Sequence, residues 1–235
     1  MLSGWVTKAR VVGKIQSLFR PVRRASRESL DGFLNDVSGV VHVGANVGDE
    51  RKLYRAHGLS VVWIEPIPEV FAHLSDRIQG YKNQKAFQAL VTDADDKEYT
   101  FHIANNYGAS SSIFKFKHHK DIWPDVEYTS SVLLKSVTLA TLFKREQLDP
   151  GQYQALIMDA QGSELLVLQG SIPILNHFKF IKTEVPDFES YERCCQLSDI
   201  NDFMIERGYK ELSRCKQASR AEGGSYFDIV YKKQD

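Results

Sequence analysis

The sequence comprises 235 residues with a formal net charge of zero, of which 43% are hydrophobic and 26% are charged. These totals predict one globular domain of about 200 residues with a short extension, and they exclude a global electrostatic attraction to nucleic acid. No apolar stretch approaches the roughly 18–20 residues that span a bilayer. Cys194, Cys195 and Cys215 lack the spacing of a zinc site or a disulfide framework, so we expect a protein of the reducing cytoplasm.

Residues 1–30 are predicted to be a basic amphipathic extension. Apolar residues recur at helical spacing as far as Phe19, and Pro21 ends the pattern. Residues 1–27 contain no acid, and their basic residues are Lys8, Arg10, Lys14, Arg20, Arg23, Arg24 and Arg27. Three roles stay open: a helix that packs on the domain, a peripheral contact with the inner, anionic face of a membrane, or a cleaved organelle-targeting segment.

Apolar strands alternate with amphipathic helices through residues 31–235, which we predict to be a single domain. The predicted strands occupy residues 37–45, 60–66, 85–93, 153–160 and 179–185, and the predicted helices occupy residues 49–58, 69–80, 163–177 and 197–208. This alternation is typical of a mostly parallel α/β sheet with helices on both faces. Two final strands, residues 209–217 and 225–233, flank a Gly-Gly turn and must be antiparallel to each other.

Residues 104–131 interrupt this alternation with a long polar and aromatic segment of no clear period. Such segments are often lids or substrate loops, and the alternative is a surface excursion with an extra hairpin. His118 and His119 lie in it beside lysines, and we expect both to face solvent. The serines at 110–112 could bind a polyhydroxylated substrate or simply shape the loop.

The stretch "VVHVGANVGDE", residues 40–50, predicts a ligand site at the carboxyl end of the first strand. Gly44 and Gly48 let the backbone approach a ligand closely, and we expect the N–H groups of residues 47–50 to open a helix there. A dinucleotide-binding loop has the pattern G-x-G-x-x-G, but here Asn46 replaces the second glycine. Two carboxylates follow, at Asp49 and Glu50, and they would repel a pyrophosphate.

S-adenosylmethionine suits this loop better than a nicotinamide dinucleotide, because it carries no phosphate and its sulfonium and amino groups are positive. Glu65 ends the second strand, "VVWIEP", where a carboxylate can accept two hydrogen bonds from ribose hydroxyls. The alternative is a solvated carboxylate at a strand end.

Seven blocks in this order resemble the FkbM-like family of S-adenosylmethionine-dependent methyltransferases over about residues 35–231. They are "VVHVGANVGDE", "VVWIEPIPEVFAHL", "FQALVTDADD", "GASSS", "VTLATLF", "IMDAQGSELLVLQGS" and "IKTEVPDFESY". The resemblance implies a Rossmann-like class I methyltransferase fold, with a mostly parallel seven-stranded sheet and an antiparallel C-terminal strand. It also implies methyl transfer to a hydroxyl of a saccharide, glycolipid or polyketide-like molecule.

The resemblance further implies which residues hold the cofactor. Gly44, Asn46 and Gly48 would contact its methionine part, Glu65 its ribose, and the backbone near Ala89 and Leu90 its adenine. His42 stands where the family commonly has an Asp that helps to hold the ammonium group. A neutral His42 could accept that hydrogen bond, whereas a charged one would repel the ammonium group.

Three acidic residues are candidates for the chemistry. Asp159 and Glu184 end two strands that we expect to be neighbours, so their carboxylates would project from one edge of the sheet. One of them could be a general base or orient the acceptor, both could hold Mg²⁺, or both could make structural hydrogen bonds. Glu164 opens a helix, where the helix dipole favours an acid, and the resemblance implies a contact with substrate or with a hydrogen-bond network. Gln161 and Gly162 are expected to shape the turn.

The predicted partner is therefore a small hydroxylated acceptor and not a nucleic acid. Three other functions stay open: a module that binds S-adenosylmethionine or another small molecule without catalysis, a nicotinamide-dependent oxidoreductase, and a methyltransferase for protein or RNA. The last is disfavoured because no Asn/Asp-Pro-Pro-Tyr block follows the fourth strand, and because no basic groove is evident outside the N-terminal extension.

Overall fold

The computed structural model describes residues 30–234, and ten strands lie in this part of the chain. They are β1 (Gly39–Val43), β2 (Ser60–Glu65), β3 (Gln84–Gln88), β4 (Leu90–Val91), β5 (Glu98–Ala104), β6 (Tyr128–Val137), β7 (Ala155–Met158), β8 (Phe180–Pro186), β9 (Tyr209–Ser219) and β10 (Ser225–Lys233). Seven of them form the main sheet in the order β3-β2-β1-β7-β8-β10-β9. Strand β10 pairs antiparallel with both neighbours, whereas the pairings from β3 to β8 are parallel. The predicted fold class is confirmed.

Five α-helices accompany the strands within the described residues. They are α1 (Arg51–Ala56), α2 (Pro68–Ile78), α3 (Leu139–Arg145), α4 (Glu164–Gly170) and α5 (Leu197–Glu206). Short 3-10 helices lie at Gly32–Asp36, His119–Asp121, Pro150–Gln152 and Ile172–His177. No helix of residues 30–234 is long and apolar enough to cross a membrane, and the predictions for residues 1–27 lie outside the described part.

Alternating side chains of the central strands pack on opposite faces of the sheet. In β2, Val62 and Ile64 belong to the core that also contains side chains of α3, α4 and α5, whereas Val61 and Trp63 belong to the core under α1 and α2. Both faces are therefore covered, which explains why the central strands β1 and β7 are buried along their whole length.

The strand order reverses at β1, which lies between β2 and β7. Ligands of doubly wound sheets bind beyond the carboxyl ends of the strands at such a reversal. Gly44, Glu65 and Asp159 lie at the carboxyl ends of β1, β2 and β7, where such a ligand would bind.

Two predicted elements are divided in the structure. The predicted strand 85–93 breaks at Ala89, because β3 belongs to the main sheet whereas β4 pairs with β6 in a second sheet of order β4-β6-β5. The predicted helix 163–177 ends at Gly170 and continues as a 3-10 helix. At Gly170 the backbone passes so close to Thr92 that an added Cβ would lie 2.0 Å from its carbonyl oxygen.

The irregular segment is shorter than the predicted range 104–131, because β5 extends to Ala104 and β6 begins at Tyr128. It packs against residues 187–195, where the N–H groups of Lys117 and His119 both donate to the carbonyl oxygen of Ser190 at 2.9 Å.

The expectation that both histidines face solvent is wrong for His119. Its side chain is 1% exposed and lies between the rings of Phe116 and Trp123, with centroids 4.6 and 4.7 Å away. Burial lowers the pKa of His119 to about 4. His118 is partly exposed and contacts Asp121. The short 3-10 helix that begins at His119 turns these adjacent side chains in different directions.

Candidate active site

Gly44 brings the ends of β1 and β7 into contact. Its φ is +75°, and an added Cβ would lie 1.9 Å from the carbonyl oxygen of Asp159. The N–H groups of Gly44 and Ala45 both donate to the carbonyl oxygen of Ile64 at 3.0 Å. The turn after β1 is thus fastened to β2 on one side and touches β7 on the other, in a geometry that only glycine allows.

Asn46 connects this turn to two other parts of the chain. Its N–H donates to Oε2 of Glu65 at 2.9 Å, and its Nδ2 donates to the carbonyl oxygen of Tyr107 at 3.1 Å. Residues 45–50 form turns, and α1 begins only at Arg51. The predicted helix start at residues 47–50 is therefore a few residues too early.

Glu65 is 4% exposed and both of its carboxylate oxygens accept a backbone hydrogen bond. Oε1 accepts from the N–H of Ile67 at 3.0 Å, and Oε2 accepts from the N–H of Asn46. Burial raises the pKa of Glu65 to about 7 against these two hydrogen bonds, which lower it. An ionised carboxylate offers about four acceptor positions, so further donors can still bind here.

A cavity, which we call the glycine-loop cavity, opens beyond the carboxyl ends of β1, β2 and β7. Its lining residues are Val43, Gly44, Asn46, Glu65, Pro66, Ile67, Ala89, Leu90, Val91, Phe101, Gly108, Ala109, Ser111, Asp159, Ala160, Gln161 and Ser163. Five residues that were predicted to hold the cofactor are among them: Gly44, Asn46, Glu65, Ala89 and Leu90. The segment 104–131 contributes part of the wall.

Gly48 lies outside the lining of this cavity. Its φ is +66°, and an added Cβ would lie 2.6 Å from Cδ1 of Leu74. The geometry indicates that Gly48 shapes the turn and packs against α2.

The serines at 110–112 make hydrogen bonds within the protein. Ser111 Oγ accepts the N–H of Ala104 at 2.9 Å, and Ser112 Oγ donates to the carbonyl oxygen of Gln161 at 2.7 Å. All three side chains are buried. Of the two roles considered for them, the hydrogen bonds favour loop structure.

His42 also lies outside the glycine-loop cavity and points to the α1 side of the sheet. Its ring stacks on Trp63 with centroids 5.1 Å apart, and its Nδ1 lies 3.0 Å from the hydroxyl of Tyr54. Burial lowers the pKa of His42, although the charge of Glu50 opposes this shift. His42 is therefore neutral at pH 7.

His42 lines a second cavity of about 440 Å³, which we call the acidic cavity. Its lining residues are Asp31, His42, Asp49, Glu50, Leu53, Tyr54, Ile157, Met158, Asp159, Lys182, Glu184, Gln217 and Asp228. Lys182 forms an ion pair with Asp31 at 2.6 Å. Acidic side chains outnumber basic ones in this lining, and Asp159 lines both cavities.

Asp159 and Glu184 come together as predicted, and Asp228 joins them. Asp228 of β10 is the register partner of Glu184 in β8. Enclosure by protein and then repulsion from Glu164 raise the pKa of Asp159 to about 7, although the residue keeps an exposed surface. Burial, followed by repulsion from Asp159 and Asp228, raises the pKa of Glu184 well above its usual range.

The sequence reasoning missed Asp228 as a neighbour of Glu184. The alternation of side chains along the predicted strand 225–233 indicates only on which face of the sheet Asp228 lies, and its place beside Glu184 depends on the register of β10 against β8.

Glu164 lies beneath the turn that follows β7 and lines neither cavity. Its Oε1 accepts the N–H of Ala160 at 2.8 Å, and its Oε2 accepts the N–H of Gly162 at 3.0 Å. The side chain is 1% exposed. Its hydrogen bonds organise the turn on which Asp159 and Gln161 stand, which matches the network contact considered above.

Asp159 and Glu184 are the two carboxylates of the Mg²⁺ alternative. Residues 30–234 contain no group of three or more His, Cys, Asp or Glu side chains arranged to hold a metal ion. A metal at this place would therefore rest on two protein ligands, and its presence stays a prediction.

Comparison with known proteins gives one family and one fold. Residues 42–211 match the methyltransferase FkbM domain. The structure is similar to that of an uncharacterised protein from Listeria monocytogenes serotype 4b, with a TM-score of 0.52, 7% identity and coverage of 92% of this chain and 69% of that chain.

It is also similar to Sp1610 of Streptococcus pneumoniae, which is provisionally assigned as a tRNA methyltransferase and was solved with S-adenosyl-L-methionine. This match has a TM-score of 0.50, 9% identity and coverage of 92% of this chain and 75% of that chain. Identities this low indicate a shared fold and nothing about the acceptor. No curated protein matches the sequence significantly.

Proposed function

The chain belongs to the FkbM family of S-adenosylmethionine-dependent methyltransferases, and we propose that it transfers the methyl group to a hydroxyl oxygen of a small, uncharged acceptor. Saccharides, glycolipids and polyketide-like molecules are the acceptor classes that we favour. The observation that carries the proposal is the position of Asp159, which lines both the glycine-loop cavity and the acidic cavity.

The glycine-loop cavity has the chemistry to hold the methyl donor. The Glu65 carboxylate accepts one backbone hydrogen bond on each oxygen and retains acceptor capacity for the two hydroxyls of a ribose. Apolar wall residues, Ile67, Leu90 and Phe101, suit the flat face of an adenine. Asn46 and Gly44, which both line this cavity, would lie along the methionine part.

Asp159 is our candidate for the general base. The bound donor supplies an electrophilic methyl group with a leaving group that departs neutral, so no acid is needed. The acceptor hydroxyl must lose its proton as its oxygen bonds to the methyl carbon, and a positioned base contributes about 10²–10⁴-fold to such a step. The pKa of Asp159 is raised to about 7, which suits a base that works near neutral pH.

The charge of the acidic cavity favours an uncharged acceptor. Glu50, Glu184 and Asp228 line it with Asp159. Its one lysine is already paired with Asp31, as Asp49 is with Arg77. A phosphorylated sugar or an RNA backbone would meet negative potential there. This argument disfavours nucleic acid as acceptor, even though Sp1610, which shares the fold, is provisionally assigned to tRNA.

Transfer of a labelled methyl group tests the proposal. The protein is incubated with labelled S-adenosylmethionine and matched pairs of neutral and phosphorylated polyols, with glycolipids and with bulk tRNA. We expect label in neutral hydroxylated acceptors and little in their phosphorylated partners. Preferential labelling of tRNA would contradict the proposal.

Asp159→Asn separates a methyltransferase from a module that only binds the donor. The variant should lose at least about 100-fold in transfer rate while it binds S-adenosylmethionine as the wild type does. The matched control is Asp93→Asn, because Asp93 is exposed and lines neither cavity. Turnover retained by Asp159→Asn would remove Asp159 from the mechanism.

A further inference from the structure

Gln161 bridges Asp159 to a buried tyrosine. Its Nε2 donates a short hydrogen bond to Oδ1 of Asp159, and its Oε1 accepts one from the hydroxyl of Tyr191. The backbone carbonyl of Gln161 accepts the hydroxyl of Ser112 at 2.7 Å. Gln161 also has a φ of +50°, a strained conformation for a residue other than glycine. Its side chain and its backbone are thus both fixed from outside the turn.

Tyr191 determines the orientation of the side-chain amide of Gln161. Its side chain is 1% exposed, and its ring packs near Phe116 and His119 with centroids 5.5 and 5.3 Å away. Burial raises the pKa of the Tyr191 phenol well above its usual range, so the hydroxyl keeps its proton and donates. Because a donor faces Oε1, the amide must present Nε2 to Asp159, and a donor in that place favours an ionised carboxylate.

The hydrogen bond to Oδ1 leaves the other oxygen of Asp159 for chemistry. Among residues 30–234, no donor reaches Oδ2. A base whose two oxygens were equally free could rotate and protonate at either one, whereas this arrangement leaves one oxygen for the acceptor proton.

We propose that Gln161, held by Tyr191 and Ser112, is a positioning residue that fixes the carboxylate of Asp159 and keeps it ionised. This inference rests on the proposed function only in that Asp159 is the base. Gln161 is the neutral hydrogen-bond donor in surroundings that otherwise oppose ionisation. Glu164, Asp228 and Glu50 act on Asp159 to raise its pKa, and Glu184 lines the same cavity. Lys182 and His42 line the same cavity, but the lysine is paired with Asp31 and the histidine is neutral.

The ionisation of Asp159 can be measured without knowledge of the acceptor. The full-length protein is labelled with carbon-13 at its aspartate carboxyl groups and titrated by NMR, and the Asp159 signal is identified by its loss in Asp159→Asn. Gln161→Met keeps the side-chain length without the amide, and Tyr191→Phe keeps the ring without the hydroxyl. Tyr209→Phe is the matched control, because the Tyr209 hydroxyl is a buried donor to the carbonyls of Leu175 and Phe178, away from both cavities.

We expect the pKa of Asp159 to rise by about one to two units in Gln161→Met, since a hydrogen bond to a charged group is worth that much. Tyr191→Phe should shift it in the same direction by a smaller amount, and Tyr209→Phe should leave it unchanged. With an acceptor in hand, the acid limb of the kcat profile should move by the same amount while the KM for S-adenosylmethionine changes less than about twofold.

An unchanged pKa in Gln161→Met and in Tyr191→Phe would overturn the inference. If Gln161→Met does not fold, Tyr191→Phe alone decides, because its ring still fills the same space. A failure of the proposed function looks different: Asp159→Asn would keep its turnover, whatever the titration of Asp159 shows.

Discussion

The pH dependence of S-adenosylmethionine binding should reveal the role of Glu65. Burial raises the pKa of this carboxyl from 4.5 to about 7. Since the native state holds a proton that the unfolded state has released, the free energy of unfolding falls as the pH rises from about 4.5 to 7. The protein thus keeps a carboxylate that is costly to ionise, and a ligand that binds its ionised form compensates for that cost.

The magnitude follows from the fraction of protein that is ionised at Glu65. With a pKa of about 7, about one molecule in eleven is ionised at pH 6 and about ten in eleven at pH 8. If the ribose binds the ionised form, the affinity for S-adenosylmethionine should rise about tenfold between these pH values. The affinity rises with pH, and does not fall, because the ribose hydroxyls donate hydrogen bonds that the ionised carboxylate accepts.

Glu65→Gln should remove this pH dependence and weaken binding. The amide places an NH₂ group against the N–H of Asn46 or of Ile67, each of which now donates to a carboxylate oxygen. One buried donor is then unsatisfied with or without ligand, which lowers the free energy of unfolding by about 1–3 kcal/mol. The affinity falls because the ribose loses a hydrogen bond to a charged acceptor, which is worth about 1.5–3 kcal/mol or roughly ten- to a hundredfold. Isothermal titration calorimetry between pH 6 and 8 measures the affinity and its pH dependence.

Glu69→Gln provides the matched control for this experiment, because Glu69 is exposed in the first turn of α2. It should retain the affinity and the pH profile of the wild type. Any titration of the ligand itself is common to all three proteins and cancels in the comparison. A wild-type affinity that is flat from pH 6 to 8, or a Glu65→Gln variant that binds as tightly as the wild type, would refute the ribose assignment.

Two further outcomes are expected. Gly44→Ala should lower the free energy of unfolding, measured in urea, by at least about 2 kcal/mol more than Gly58→Ala does. Both glycines have positive φ, but an added Cβ would clash with the Asp159 carbonyl at Gly44 and would meet nothing within 4 Å at Gly58. Equal losses in the two variants would contradict the close approach of β1 and β7. EDTA should leave the rate of methyl transfer unchanged, because a carboxyl group with a raised pKa, such as that of Glu184, is a poor metal ligand at pH 7. Loss of the rate in EDTA and its recovery with Mg²⁺ would instead place a metal between Asp159 and Glu184.

Local sequence patterns predicted the order of strands and helices and the place of the site. Each core strand is an apolar run that stops at a turn residue. Gly44 marks a close approach of two backbone segments, since a Cβ added there would lie 1.9 Å from the carbonyl oxygen of Asp159. The carboxyl-end rule for parallel sheets then placed Glu65, Asp159 and Glu184 at the same edge of the sheet. These inferences need only periodicity and the direction of neighbouring strands.

Contacts between distant segments could not be predicted in this way. Nothing in "KAFQALVTD" signals that its strand changes sheets at Ala89, because both halves have the same apolar pattern. His119 is buried by rings that come from its own segment and from residue 191, and its burial depends on that docking. The Tyr191–Gln161–Asp159 chain likewise joins side chains 30 residues apart in the sequence.

The acidic cavity contains more carboxyl groups than a single proton transfer needs, and their hydrogen bonds assign them different roles. Repulsion from Asp159 adds to burial in raising the pKa of the Glu184 carboxyl. Gln161 donates to Asp159, whereas no donor among residues 30–234 reaches the Glu184 carboxyl. The hydrogen bond therefore favours ionisation of Asp159, whereas burial and repulsion raise the pKa of the Glu184 carboxyl. Surroundings that separate the pKa values of two neighbouring carboxyl groups distinguish their roles, which supports our proposal that Asp159 takes the acceptor proton, and we propose that Glu184 orients the acceptor.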